Sequence, residues 1–285
     1  KFDFTSLIIF SASLSFSDYL RAQILTGFPW NLWAYSTSWA SEILQILNFI
    51  GLHSYNLLVV TLFTLPTILF FKIKIIKKII IFIATSLIIL ALYIFGNYII
   101  NLNKELLNET DKKIYVKIIS PNFELKYGLI QEDIEERFKK IIRFSDPDKA
   151  KKTLFIWPEG VFSGYSYDEI KIFKKLIKKN FSKEHLIIFG TNKLDINSGS
   201  FYNSMLIVDE NFEIIQSYDK RKLVPFGEFL PFENFLQQIG LKKITEGYGS
   251  FLSGNNNNNL KIDKLNILPL ICYEIIFTDL IQKSD

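Results

Sequence analysis

Between Ile79 and Asn103 the chain runs 25 residues without a charge. As a helix that stretch exceeds the ~30 Å of a bilayer's hydrocarbon core, at about 1.5 Å per residue. A buried core helix is the alternative; the length and apolarity make a spanning helix the expectation. Ile43–Phe71 is again free of charge. Its densest part, Leu57–Phe71, reads as a second span with Pro66 at a kink. Phe4–Ser17 is apolar too, but only 14 residues separate Asp3 from Asp18. It is expected to be the end of a helix that begins before the sequence does.

Lys72, Lys74, Lys77 and Lys78 lie between the two strong spans. A short lysine-rich loop marks the cytoplasmic side. The helix from Ile79 then exits outward, and everything past Asn103 lies outside. The segment from Asp18 to Tyr55 shares that side. Trp30, Trp33, Tyr35 and Trp39 fit an aromatic belt at the membrane–water interface, or else simple packing. Hydrophobic residues make up 49% of the 285 residues, and the net charge is only +4. A nucleic-acid partner is not expected, because no basic stripe interleaves with stacking aromatics. A single cysteine excludes an intrachain disulfide and leaves either a buried structural residue or a reactive thiol. The first residue is Lys, no cleavable signal peptide is visible, and truncation at both ends is expected.

The pattern changes after residue 103. Strand-like runs at Lys113–Ser120, Thr153–Trp157, His185–Thr191, Met205–Val208 and Leu265–Cys272 alternate with amphipathic stretches. In 127–145, Ile130, Ile134, Phe138, Ile141 and Ile142 share a helical face; in 166–181, Ile170, Phe173, Ile177 and Phe181 do. Five lysines of the latter stretch read as a solvated face. Asn255–Asn259 reads as an exposed loop. The expectation is membrane helices and an outer loop over 1–103, then a layered α/β domain over 104–285.

Three features carry chemistry. Trp157-Pro158-Glu159-Gly160 ends a buried strand, where proline forces a turn and an apolar setting raises the carboxyl pKa. Tyr218 to Pro231 form a loop constrained by two prolines and a glycine, with three cations preceding a carboxylate. Cys272-Tyr273-Glu274 closes an apolar run, a geometry that lifts a thiol into a cleft beside a helix start. Each has a bland counterpart: a turn-capping Glu, a surface ion pair, a buried cysteine. Two histidines in unrelated contexts, His53 and His185, argue against a metal cluster.

Together the three features resemble the nitrilase (carbon-nitrogen hydrolase) superfamily, whose site combines Glu, Lys and Cys in that chain order. The membrane-attached branch, the apolipoprotein N-acyltransferase family, is the closer resemblance. Tyr19-Leu20-Arg21 and Thr26-Gly27-Phe28-Pro29-Trp30-Asn31 look like its Gly-Phe-Pro-Trp element. Lys220 through Glu228 match its Lys-x-x-Leu-Val-Pro-Phe-Gly-Glu, and Tyr202-Asn203-Ser204 and Cys272-Tyr273-Glu274 its shorter elements. The family's Lys-Trp pair is Lys126-Tyr127 here.

The resemblance implies an αββα sandwich following transmembrane helices, with its C-terminal part missing. It implies a catalytic Glu159, Lys220 and Cys272, and the long motif selects Lys220 over Lys222. Glu228, Tyr273 and Glu274 support them, while Trp30 and Tyr127 contact lipid. It further implies acyl transfer from a phospholipid, through a Cys272 thioester, to the α-amine of a diacylglyceryl-modified apolipoprotein. No metal or cofactor is implied, and the site would face the periplasm from a bacterial inner membrane. A membrane-anchored amidase acting on a small amide and a catalytically inactive binding relative are the alternatives.

Overall fold

In the computed structural model the described residues are 3–24, 27–108, 114–124, 129–162, 164–233, 238, 240, 249–255, 259–262 and 265–281. The chain forms two compact units, Lys1–Asp111 and Lys112–Asp285.

The first unit is helical. α1 spans Phe4–Gln23 and is capped by Asp3, whose carboxylate accepts from the Ser6 backbone N–H at 2.9 Å. The apolar stretch was expected to stop at Asp18, but the helix continues past it. Asp18 is buried and paired: it accepts from Arg21 at 2.8 Å and from Asn56 Nδ2 at 3.0 Å. Arg21 reaches the Trp30 carbonyl at 2.5 Å, and Asn56 Oδ1 takes the Ala34 N–H at 2.9 Å. A charge within an apolar helix pair is thereby satisfied on every side. After a short α2 (Ser41–Leu44), α3 runs Leu47–Thr64 with non-helical backbone at Gly51 (φ 74°). It tightens into a 3-10 turn over Leu65–Phe70, where Pro66 sits at the start, as its sequence position suggested.

α4 is a single helix over Ile75–Asn108, 34 residues and about 50 Å long. It exceeds the expected 79–103 span at both ends. Leu47–Phe70 and Ile75–Asn108 are long and apolar enough to cross a membrane. In α4 only 6% of the most apolar window is buried, unlike the core helix of a soluble protein. Gly96 lets α4 meet α2: a Cβ there would lie 1.7 Å from the Glu42 carbonyl oxygen.

The second unit is built on a five-stranded sheet. β1 (Val116–Ile118), β2 (Thr153–Ile156) and β3 (His185–Leu194) are parallel; β4 (Phe201–Val208) and β5 (Ile214–Asp219) complete it antiparallel, in the order β1-β2-β3-β4-β5. Side chains alternate between two cores, as the strand period of two requires. Phe155, Ile187, Phe189, Leu206 and Val208 face α5 (Gln131–Ser145), α6 (Tyr167–Ile170) and α7 (Lys174–Asn180). Leu154, Ile188, Ile207 and Tyr218 face the hairpin β6 (Leu260–Ile262) and β7 (Leu265–Ile267), together with Ile271.

Several expectations change. The described layers are helix, sheet and hairpin, so the second helical layer of an αββα sandwich is not among the described residues. Of the helical face in 127–145, Ile134, Phe138, Ile141 and Ile142 are buried, but Ile130 precedes the helix and is exposed. The 166–181 stretch divides into α6, a 3-10 turn (Lys171–Phe173) and α7, with all four of its apolar positions buried. The strand expected over Leu265–Cys272 stops at Ile267. Pro269 lacks the N–H a ladder needs. β5 had no sequence signal, because its outer half (Ile214, Ile215) is exposed.

Phe138 anchors the helix-side core, stacking on Phe162 at 4.3 Å beside Phe173, Phe212 and Trp157. Phe138→Ala should cost about 3–5 kcal/mol, a range typical of emptied aromatic core sites. Denaturant unfolding followed by tryptophan fluorescence measures it.

Candidate active site

Glu159, Asn203 and Lys220 emerge at one end of the sheet. Trp157 still donates its N–H to the Ile188 carbonyl at 2.8 Å, extending the β2–β3 ladder by one rung. Pro158 cannot, and the chain turns with Glu159 at the apex and Gly160 at φ 69°. The turn is held from behind by Phe162 in the aromatic core and by Arg137, which donates to the Val161 carbonyl at 2.9 Å. Beneath it lies Gly190 of β3. A Cβ at 190 would stand 3.3 Å from Glu159 Cα and 3.4 Å from Cγ. That close approach is why a glycine interrupts an otherwise apolar strand.

Lys220 follows the last residue of β5, and its N–H donates to the Asn203 carbonyl at 2.8 Å. The side chain is only 1% exposed. Its ammonium pairs with Glu228 Oε1 at 2.9 Å and lies 5.1 Å from the Tyr273 ring centroid. Lys222, the other lysine weighed, instead pairs with Asp279 at 3.2 Å and covers the Phe277 ring. Glu228 is fixed by three donors: Lys220, Asn203 Nδ2 at 2.9 Å and the Val224 N–H at 2.9 Å. The Pro225–Phe229 turn that returns it has Phe226 at φ 62°. Gly254 seals the back of the site. It donates to the Lys220 carbonyl at 2.8 Å, and a Cβ there would be 2.1 Å from the Asp219 carbonyl oxygen.

Glu159 is an exposed residue whose carboxyl is nonetheless partly enclosed by protein atoms. Desolvation pushes its pKa up; the nearby Lys220 cation and a hydrogen bond with Asn203 pull the other way, and Glu228 and Glu274 push up again. The upward push prevails, so Glu159 holds its proton to higher pH than an ordinary carboxyl.

Cys272 opens a 3-10 turn over Cys272–Ile276 rather than ending a strand. It is exposed and has φ 53°, the left-handed region that non-glycine residues seldom enter. The next two residues hold that backbone. Tyr273 is buried and donates its hydroxyl to the Leu223 carbonyl at 2.5 Å. Glu274, fully buried, accepts four hydrogen bonds: from Tyr218 OH at 3.0 Å, the Arg221 N–H at 2.8 Å, the Lys222 N–H at 3.0 Å and the Ile271 N–H at 2.8 Å. Burial beside this carboxylate raises the Tyr218 pKa, which keeps the phenol a donor.

Glu159, Lys220, Glu228, Tyr273 and Glu274 are therefore linked into one network that leads to the Cys272 turn. Trp30 belongs to the first unit, where its exposed ring stacks on Phe28 at 5.7 Å. Tyr127 lies outside the described residues, as does Lys126. Among the described residues no group of His, Cys, Asp and Glu is suited to hold a metal. Two contributors had no role in the sequence reading. Asn203 was visible only as part of a short motif, and Gly190 only as a glycine inside a strand.

The chain belongs to the carbon-nitrogen hydrolase family, whose model matches residues 125–283. Residues 2–65 match the model described as the apolipoprotein N-acyltransferase N-terminal domain. The apolipoprotein N-acyltransferase of Rhodopseudomonas palustris is 29% identical over 290 residues, covering 97% of this chain and 54% of its own length. That of Rickettsia prowazekii is 29% identical over 273 residues, covering 94% of this chain and 53% of its own. The chain thus spans about half the length of the curated relatives it matches. Among solved structures, a branch 10 member of the nitrilase superfamily from Saccharomyces cerevisiae aligns with TM-score 0.38 and 16% identity over 59% of this chain and 58% of that one. The resemblance read from the motifs is borne out at the level of the family.

Two predictions follow from the electrostatics. Glu274→Gln places an amide N–H₂ among four donors, so at least one loses its acceptor; a loss of about 1–3 kcal/mol is expected, read by thermal unfolding. Glu159 has a folded pKa above its unfolded value, so its contribution is most favourable at low pH. That contribution is lost as pH rises from about 4.3, the ordinary glutamate value, through the folded pKa. Glu159→Gln should therefore gain in melting temperature over the wild type as pH rises from about 4 toward 8.

Proposed function

We propose that this chain forms the acyl-transfer site of a membrane-embedded N-acyltransferase that matures bacterial lipoproteins. The observation that carries the proposal is the buried Lys220 ammonium, held by Glu228 within reach of Glu159 and the Tyr273 ring, in a chain whose first unit matches an acyltransferase domain. A positioned cation with a basic carboxylate beside it and an exposed thiol on a strained turn is the equipment of acyl transfer through a thioester.

In this reading Glu159 takes the proton from Cys272 Sγ, and the thiolate attacks the carbonyl carbon of a phospholipid acyl ester. Lys220 Nζ and the Tyr273 N–H stabilise the oxyanion. The C–O bond breaks, the protonated Glu159 returns its proton to the departing glycerol oxygen, and lysophospholipid leaves. The α-amine of a diacylglyceryl-modified N-terminal cysteine then attacks the thioester, and Glu159 accepts the amine proton as the C–S bond breaks. An amide-linked acyl chain and a free Cys272 result. Glu228 orients Lys220, Glu274 holds the Cys272 turn against the Lys220 loop, and Trp30 and Tyr127 contact lipid.

Both substrates carry acyl chains, which calls for a site served by the bilayer. α3 and α4 span it, and the lysines at positions 72, 74, 77 and 78 lie on the cytoplasmic side, so the second unit faces the periplasm.

Protein in detergent is incubated with a phospholipid bearing a labelled sn-1 acyl chain. Wild type should form a hydroxylamine-sensitive adduct and Cys272→Ala none. Glu159→Gln and Lys220→Met should slow its formation by roughly 10²–10³-fold. An intact wild-type protein that forms no adduct would point instead to hydrolysis of a small amide or to an inactive relative.

A further inference from the structure

Among the described residues, two buried side-chain nitrogen or oxygen atoms have no hydrogen-bond partner: Ser15 Oγ on α1 and His53 Nδ1 on α3. Both line one groove between these helices, with a cavity volume of about 570 Å³. That volume lies within the range of small-ligand sites. Ser15 is only 8% exposed, while the groove's rim (Phe16, Tyr19 and Leu57) is exposed and apolar. Buried polar groups on either side of the groove find partners within the same helix pair. Ser11 Oγ meets Thr64 Oγ1 at 3.2 Å one turn before Ser15, and Asp18 holds Asn56 and Arg21 one turn after it. The unmet capacity is therefore local to the groove.

The helices run antiparallel, as the pairs Ser11–Thr64, Asp18–Asn56 and Tyr19–His53 record. His53, with Tyr19 edge-on at 5.2 Å, thus marks the end nearest the tryptophan-rich segment, and Leu57 lies one helical turn further along. Polar atoms at one end and apolar walls beyond them match a molecule with a hydrogen-bonding centre and a hydrocarbon tail.

We propose that this groove binds the ester zone of a membrane glycerolipid. The Ser15 hydroxyl donates to an acyl ester carbonyl, His53 Nδ1 pairs with a neighbouring glycerol or headgroup oxygen, and the acyl chain lies along Phe16 and Leu57. The inference rests on the membrane reading of α3 and not on the chemistry at Cys272.

The test uses the full chain in nanodiscs with phosphatidylethanolamine carrying a diazirine near the carbonyl end of one acyl chain. Crosslinks are mapped by mass spectrometry, with excess diacyl or monoacyl phosphatidylethanolamine as competitors. Labelling should concentrate on peptides containing residues 12–19 and 53–57. In Ser15→Ala/His53→Phe it should fall about 25-fold, about fivefold for each of the two hydrogen bonds removed. The stronger competitor identifies which lipid form occupies the groove. Leu57→Trp, which fills the groove without touching its polar atoms, should reduce the same labels. Even labelling of α1, α3 and α4, unchanged in both variants, would overturn the proposal. Adduct formation at Cys272, which none of these substitutions touches, reports separately on the acyltransferase reading and on the fold.

Discussion

One buried carboxylate organises the candidate-site end of the second unit. Glu274 has no exposed surface, and its four hydrogen-bond donors come from three places: β5, the loop after Lys220, and the residue before Cys272. Burying a charge is costly unless donors replace its hydration. Here the replacement donors are the backbone of the segments that must be aligned. The Lys220 loop and the Cys272 turn are far apart in sequence, and each is irregular on its own. Satisfying Glu274 requires both to take one relative position.

The sheet supplies the other half of the geometry. Because β3 and β5 run parallel to β2, the ends of β2 and β5 and the start of β4 fall on the same edge. Glu159, Lys220 and Asn203 are carried there by topology. Short-range contacts then refine their positions, with Gly190 beneath Glu159 and Gly254 behind Lys220. The desolvation that raises the Glu159 pKa and the cation that opposes it arise from one placement: the carboxyl sits close enough to the Lys220 ammonium to feel it, yet is too enclosed to be fully hydrated.

Much of this was legible in the sequence because it rests on local chemistry. The absence of charge over 79–103 marked α4, the apolar spacing of Ile134, Phe138, Ile141 and Ile142 marked α5, and Pro158 fixed the turn that bears Glu159. Spacing to Glu228 distinguished Lys220 from Lys222, and the structure places Lys220 in the network. What escaped depends on distant partners. Asp18 looked like the end of an apolar helix, since the Asn56 amide that donates to it comes from a separate helix. Leu265–Cys272 read as one strand because its apolar pattern is continuous, while Pro269 and the pull of Glu274 end the strand at Ile267. Gly190 and Asn203 carry no periodic signal at all; Gly190 matters through its close approach to Glu159, and Asn203 through its contacts with Lys220, Glu228 and Glu159.

The left-handed backbone of Cys272 limits which side chains could ever replace it. A second branch at Cβ clashes in that region of backbone space, so threonine is disfavoured there for steric reasons, whatever its chemistry. Among hydroxyl and thiol side chains only cysteine and serine fit without added strain. Of these, serine needs a far stronger base to become an anion. The turn thus restricts position 272 on steric grounds alone, before any chemistry is considered.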